Sequence, residues 1–264
     1  MKNFLILFLL SFFTFSCTTY QKALKSEDTT FQYNVAVKMY EKGKFDKAIR
    51  LFEQIAPSYR GNPQSENMFY LFSQSYYKSK QHYLAAYQFE KFASSYPKSE
   101  KIEEASFLSA KSFSKLSPVY SLDQVDTYKA IDKLQAFIDT YSNSQYLAEA
   151  NQDVKILREK IEKKAFENAK EYNKISDYKS AIVALDNFVG DFPGTPYKED
   201  ALYYKFDSAY KLAINSIPNK MEERLNNSKI AYNNLMKFNA SSQYKQKADV
   251  MLARINKDLQ QFSK

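Results

Sequence analysis

One phrase recurs along this chain and dictates what it can fold into. It reads Phe52-x-x-Ile55-x-x-x-Tyr59, then Phe89-x-x-Phe92-x-x-x-Tyr96-Pro97, then Leu134-x-x-Phe137-x-x-x-Tyr141. A fourth copy is Leu185-x-x-Phe188-x-x-x-Phe192-Pro193, and a degraded fifth is Tyr232-x-x-Leu235-x-x-Phe238. Four residues before each copy stands a small residue: Ala48, Ala85, Ala130, Ala181 and Ser228. Steps of three and four place all of these on one face of a helix. The small residue admits a neighbouring helix, and the bulky ones fill the space beside it. Pro97 and Pro193 end their helices, because proline has no amide to offer the next turn.

The first residues of successive copies, Phe52, Phe89, Leu134, Leu185 and Tyr232, lie 37, 45, 51 and 47 positions apart. Each interval has room for one more helix, and the apolar spacing predicts them over 100–115, 146–174, 198–214 and 244–262. Only 4 glycines and 7 prolines occur in 264 residues, too few for the turns of a sheet-rich fold or for a phosphate-cradling loop. The expected architecture is therefore all-α: a repeat of about five helix pairs over 29–264, with amino-terminal units over about 29–116 and carboxy-terminal units over about 117–264. Ser117-Pro118-Val119-Tyr120-Ser121-Leu122-Asp123 is expected to be an inserted loop. Stacked pairs of this kind bury little apolar surface singly and gain a continuous core from their neighbours.

The first unit, Tyr40-Glu-Lys-Gly43-Lys-Phe45-Asp-Lys-Ala48-Ile-Arg-Leu-Phe52, resembles a tetratricopeptide repeat. That family places Gly and an aromatic in the turn between the two helices, and Ala and an aromatic in the second helix. Later units keep the second helix and lose the glycine. Lys80 and Ser176 stand where Gly43 stands, and His82 and Tyr178 where Phe45 stands. The intervals exceed the 34 residues of that family, so longer helices or loops are inserted. The resemblance implies a TPR-like α-solenoid whose concave side is lined by the first helix of each pair. The groove-facing positions are then Tyr33, Val37 and Tyr40 in the first unit, and Asn67, Tyr70, Gln74 and Tyr77 in the second. Tyrosines set among Asn and Gln suit an extended peptide, giving rigid area and hydroxyls that pair with its backbone. The alternative is that several of these rings are ordinary packing between helices.

At the amino terminus, Lys2 precedes an apolar stretch from Phe4 to Phe15 and the small residue Ser16; Cys17, the sole cysteine, follows. A short apolar core, one positive charge and a small residue at the cut describe a secretory signal over residues 1–16. Its length of about twelve residues falls short of the roughly 20 needed to span a bilayer. A cysteine directly after the small residue resembles the lipobox of bacterial lipoproteins, although Thr14 stands where that family usually has Leu. The resemblance implies acylation of Cys17, a palmitate-type anchor, and a short lipidated tether over 17–28. With no Asp after the cysteine, the family's sorting rule implies the outer membrane, facing the periplasm.

The charge, 38 Lys and Arg against 30 Asp and Glu, is spread along the chain. No basic run is long enough for a nucleic-acid arm, so the balance reads as solvated surface with a preference for acidic partners or anionic head groups. With one cysteine, no disulfide can form within the chain.

Catalytic constellations are not found. His82 is the sole histidine and occupies the aromatic slot of its turn, so neither a usual zinc ligand set nor a Ser-His-Asp arrangement can be built around it. Glu103-Glu104 and Glu222-Glu223 are adjacent on helices and diverge. The expectation is a protein that is not an enzyme, without metal and without cofactor beyond the lipid on Cys17.

A lipoprotein leader, a short tether and some five helix pairs together resemble the BamD family. Tyr40-x-x-Gly43-x-Phe45-x-x-Ala48-Ile49, followed by Tyr96-Pro97-x-Ser99, is typical of that family's opening units. The resemblance implies a scaffold of the machinery that inserts β-barrels into the outer membrane. Its partners would be unfolded barrel proteins at the amino-terminal units and the core subunit BamA at the carboxy-terminal ones. Two other readings remain: a periplasmic repeat lipoprotein that clamps proteins of cell-wall synthesis and division, or a nutrient-uptake lipoprotein. The latter kind is usually longer and carries Trp, of which this chain has none.

Overall fold

The computed structural model describes residues 18–262; the leader and Cys17 lie outside the described residues. Among the described residues there are twelve α-helices, one closing 3-10 turn and no strand. In chain order they are α1 (Thr18–Leu24), α2 (Thr29–Glu41), α3 (Phe45–Ile55), α4 (Ser65–Lys78), α5 (His82–Ser95), α6 (Ile102–Leu116), α7 (Val125–Thr140), α8 (Leu147–Lys174), α9 (Tyr178–Asp191), α10 (Lys198–Ile214), α11 (Pro218–Phe238) and α12 (Lys245–Leu259). The molecule is a succession of helix pairs of the tetratricopeptide-like kind.

Packing divides the chain into two compact units, residues 18–118 with 123–157, and 119–122 with 158–262. The first holds α1 to α7 and the opening half of α8. The second holds the remainder of α8 with α9 to α12. The loop after α6 contributes Tyr120 and Leu122 to the second unit, where Lys163 sits 4.4 Å over the Tyr120 ring and Lys164 Nζ donates to the Leu122 carbonyl at 2.6 Å.

The recurring phrase is the core. Ala48, Ala85, Ala130, Ala181 and Ser228 are each wholly buried, and so are Phe52, Phe89, Leu134 and Leu185. Ile55, Phe92, Phe137, Phe188 and Leu235 lie beside them, at most 3 % exposed. Removing a side chain of this size from water stabilises the fold by about 1.5–3 kcal/mol. The degraded copy shows its wear, since Phe238 is 49 % exposed, with Lys198 Nζ 5.4 Å over its ring.

Local chemistry sets the helix ends. Asp28 caps α2, accepting from the amides of Thr30 at 2.9 Å and Phe31 at 3.0 Å. Tyr96 and Phe192 leave helical geometry ahead of Pro97 and Pro193, at φ −126° and −125°, as a residue before proline must. Pro218 opens α11, where its missing amide has no partner to lose. The turn between the helices of a pair needs a left-handed residue. Gly43 supplies it at φ +68°. Lys80 and Ser176, which replace the glycine in later pairs, adopt the same conformation at +63° and +66°, although side chains disfavour it.

The stretch read from sequence as a tether over 17–28 contains α1, and α1 is packed rather than free. Tyr20 is 5 % exposed and Ala23 wholly buried. Gln32 Nε2 donates to the Ala23 carbonyl at 3.1 Å, and Gln54 Nε2 to the Leu24 carbonyl at 3.4 Å. A buried ring and two side-chain bonds to the backbone hold seven residues too few to form a stable helix alone.

Candidate peptide-binding face

The tyrosines and amides singled out in the sequence come together on α2 and α4, and α6 completes the face. Tyr33 on α2 is buried and stacks on Tyr59 with ring centres 5.4 Å apart. Asn67 on α4 is exposed and donates to the Tyr33 hydroxyl at 2.9 Å, while its Oδ1 accepts from Lys101 Nζ, just before α6, at 3.0 Å. These three residues sit 34 positions apart, one repeat step each. Lys101 Nζ also lies 4.4 Å over the ring of Tyr70.

Tyr70 and Gln74 form the next layer. Both are buried, and Gln74 Nε2 donates to the Tyr70 hydroxyl at 2.8 Å. Burial first, and then a hydrogen bond to Glu104, push the Tyr70 hydroxyl well above its ordinary value. The Tyr40 hydroxyl is raised by burial and by the Glu104 charge, and that of Tyr77 by burial and by Asp153. All three therefore stay protonated and keep a proton available to donate. Val37, Tyr40 and Tyr77 are half-buried. The two tyrosines perform equivalent packing in successive pairs: Tyr40 meets Phe45 edge-on at 5.6 Å, and Tyr77 meets His82 edge-on at 5.7 Å. His82 is thus a packing residue, and burial together with Lys115 and Lys80 lowers its pKa, keeping it neutral.

Past Tyr77 the face turns acidic. Lys111 on α6 pairs with Glu149 on α8 and lies 4.0 Å from Asp153 one turn on. The arrangement offers tyrosine donors, a buried amide and one exposed amide, with Lys101 and Glu104 as charges. It suits hydrogen bonding to an extended main chain between apolar side chains, and it holds no nucleophile, base and orienting group in a line.

A second constellation recurs that the sequence reading missed. At the start of α4, α6 and α10 a glutamate accepts a hydroxyl from the loop after the next helix. Ser99 Oγ reaches Glu66 at 2.6 Å, Ser144 reaches Glu103 at 2.5 Å, and Ser242 reaches Glu199 at 2.6 Å. The same hydroxyls accept from the amide two residues on, at 3.0–3.1 Å. That residue then covers the ring four positions after the glutamate. Tyr146 stacks on Phe107 at 4.6 Å and Tyr244 on Tyr203 at 3.9 Å; on α8, where Thr195 forms no such clasp among the described residues, Tyr197 stacks on Phe166 at 5.6 Å, and all three pairs lie within 9° of parallel. In the second pair alone the covering residue is a lysine, Lys101 over Tyr70. The signal was present as Glu-x-x-x-aromatic, then Ser or Thr-x-Tyr or Lys, but its halves lie 33 to 43 residues apart.

Among the described residues no helix is long and apolar enough to cross a membrane, and no three His, Cys, Asp or Glu gather as metal ligands. A family model described as YfiO, outer membrane lipoprotein, matches residues 25–225 and 160–262. The chain belongs to this family. Membership gives the outer-membrane lipoprotein class directly, and with it a typically non-catalytic helical fold. No curated protein matches the sequence. Among solved structures, the lipoprotein is similar to the TPR2AB-domain:pHSP90 complex of yeast Sti1, at 14% identity and TM-score 0.38, over 86% of this chain and 98% of that one. A putative kinesin light chain of Podospora anserina with TPR-like repeats is similar at 12% identity and TM-score 0.35, over 83% and 99%.

Proposed function

We propose that this lipoprotein is a non-catalytic scaffold of the outer-membrane β-barrel assembly machinery. It is anchored by lipid on Cys17 and faces the periplasm. Unfolded barrel segments lie in extended form along α2, α4 and α6 of the first unit, and the BamA-like core subunit docks on the second unit. Family membership supports the machinery, and the Tyr33–Asn67–Lys101 layer with Tyr70 behind it supports the peptide face.

One observation carries the peptide reading: the second pair alone covers its ring with a cation. Elsewhere a tyrosine closes that slot by stacking. Lys101 is held by Asn67 and the Tyr70 ring, contacts that a peptide carbonyl and side chain can take over. Lys101 is half-buried, but its bond to Asn67 is open to solvent, so displacing the ammonium lets it find water at once. No nucleotide is consumed, and binding supplies the work. The acyl anchor raises the effective concentration of the face near the site of assembly.

Affinity capture of the acylated protein from detergent-solubilised envelopes tests the reading. It predicts recovery of a barrel-shaped core subunit with periplasmic domains. Recovery of wall synthases in its place would overturn it in favour of a cell-wall clamp. Mass spectrometry of the mature amino terminus predicts an acylated Cys17.

A further inference from the structure

The packed state of α1 gives the chain segment next to Cys17 a fixed seat on the first pair. Tyr20 and Ala23 face inward, so the other side of the helix presents Gln21, Lys22 and, just past its end, Lys25, all exposed. The neighbouring face of α3 is basic as well. Lys47 Nζ lies 5.1 Å over the Tyr20 ring and Gln54 bonds the end of α1, which places Arg50, between them on the same helical face, beside α1. Lys44 stands one turn before Lys47 and is exposed. Lys22, Lys25, Lys44 and Arg50 enter no ion pair among the described residues. The acids of α3 are engaged elsewhere: Asp46 accepts from Gln81 at 3.3 Å and Glu53 from the Tyr76 hydroxyl at 2.6 Å. Glu27 and Asp28 are the exposed acids that remain beside α1, and the Asp28 carboxylate is held by the first amides of α2.

We propose that α1 and the adjoining face of α3 form a membrane-docking surface that seats the first unit on acidic lipid headgroups. The proposal rests on the lipid anchor only for how the surface is delivered to the leaflet. The acyl chains would supply attachment, and the cations would supply orientation. Charges tethered within a Debye length of an anionic surface are attracted to it, so Lys22, Lys25, Lys47 and Arg50 turn this face toward the bilayer. The unit is then held in one attitude, because the residue after the anchor belongs to a packed helix and not to a swinging linker. This gives α1 a purpose beyond attachment: it converts a lipid tether into a mount.

The test uses the mature chain with Cys17→Ser, which cannot be acylated, in flotation with vesicles. Vesicles of phosphatidylethanolamine and phosphatidylglycerol are expected to carry the protein at low salt, and vesicles of phosphatidylcholine are not. Lys22→Gln, Lys25→Gln and Arg50→Gln together are expected to lower binding at least about tenfold, since each cation near an acidic surface contributes separately. Lys237→Gln, Lys247→Gln and Lys257→Gln together, exposed cations of the second unit, are expected to leave it unchanged. Failure to float, or equal losses in both triple variants, overturns the proposal. Finding Cys17 unacylated in envelopes would instead remove the anchor and leave the vesicle result standing.

Discussion

The second and fifth pairs solve the same packing problem with different residues, and the difference locates the candidate site. In the fifth, Tyr244 lies flat on Tyr203 at 3.9 Å while its hydroxyl bonds Asp200, so the slot at the head of α10 is shut. In the second, Lys101 hangs over Tyr70 and shares Asn67 with Tyr33. Both use the same serine–glutamate clasp, Ser99 with Glu66 and Ser242 with Glu199. The clasp therefore sets the geometry, and the residue two positions after the serine decides whether the face is closed. A repeat protein can open one site without changing its frame.

The comparison breaks most visibly at the core. Phe206→Ala in the fifth pair and Phe89→Ala in the second, both wholly buried, should each cost about 3–5 kcal/mol in chemical denaturation. A much smaller loss in one of them would show that the two pairs are not built alike.

The clasp is next. Glu199 accepts from Ser242 Oγ, Asn239 Nδ2 and the Gln243 amide, so Glu199→Ala should destabilise by about 1–3 kcal/mol, leaving donors unpaired. Bonding to Ser242, then to Asn239 and Gln243, holds the Glu199 carboxyl below its ordinary pKa. Its contribution is thus complete above the ordinary carboxylate range and disappears as pH falls through the lowered folded-state value. Glu199→Gln should flatten that part of the acid unfolding curve, measured by circular dichroism.

Lys101→Tyr should turn the open slot into a closed one. Thermal stability is expected to hold or rise slightly, while affinity for an unfolded barrel segment falls about tenfold, read by fluorescence anisotropy. Lys80→Gly and Ser176→Gly should each stabilise by about 1 kcal/mol, since both positions adopt the left-handed backbone that glycine takes freely. Gly43→Ala should cost a similar amount, although space beside Gly43 is open.

The core was legible because its residues repeat locally, within one helix and at steps of three and four. The long helix α8, the stops before Pro97 and Pro193 and the loop after α6 were legible from short stretches of sequence as well. The clasp and its stacked rings were not. Glu66, Glu103 and Glu199 look like solvated helix starts until a serine far along the chain is brought to them. The docking of α1 was hidden too, because Tyr20 and Ala23 in seven residues make no periodic pattern. The residues read from sequence as groove-facing could not be ranked by burial from the sequence. Tyr33, Tyr70 and Gln74 are buried, Asn67 is exposed, and Lys101 and Glu104, which lie beside them, were not among those named.

Site-specific photocrosslinking tests the central claim most directly. A photoreactive residue at position 67 should capture an unfolded barrel polypeptide, and the same residue at the equivalent position 200 should not. Adding Lys101→Tyr should lower the capture at 67 about tenfold. Equal capture at both positions, or capture undiminished by Lys101→Tyr, would contradict a polypeptide-holding face on α2, α4 and α6.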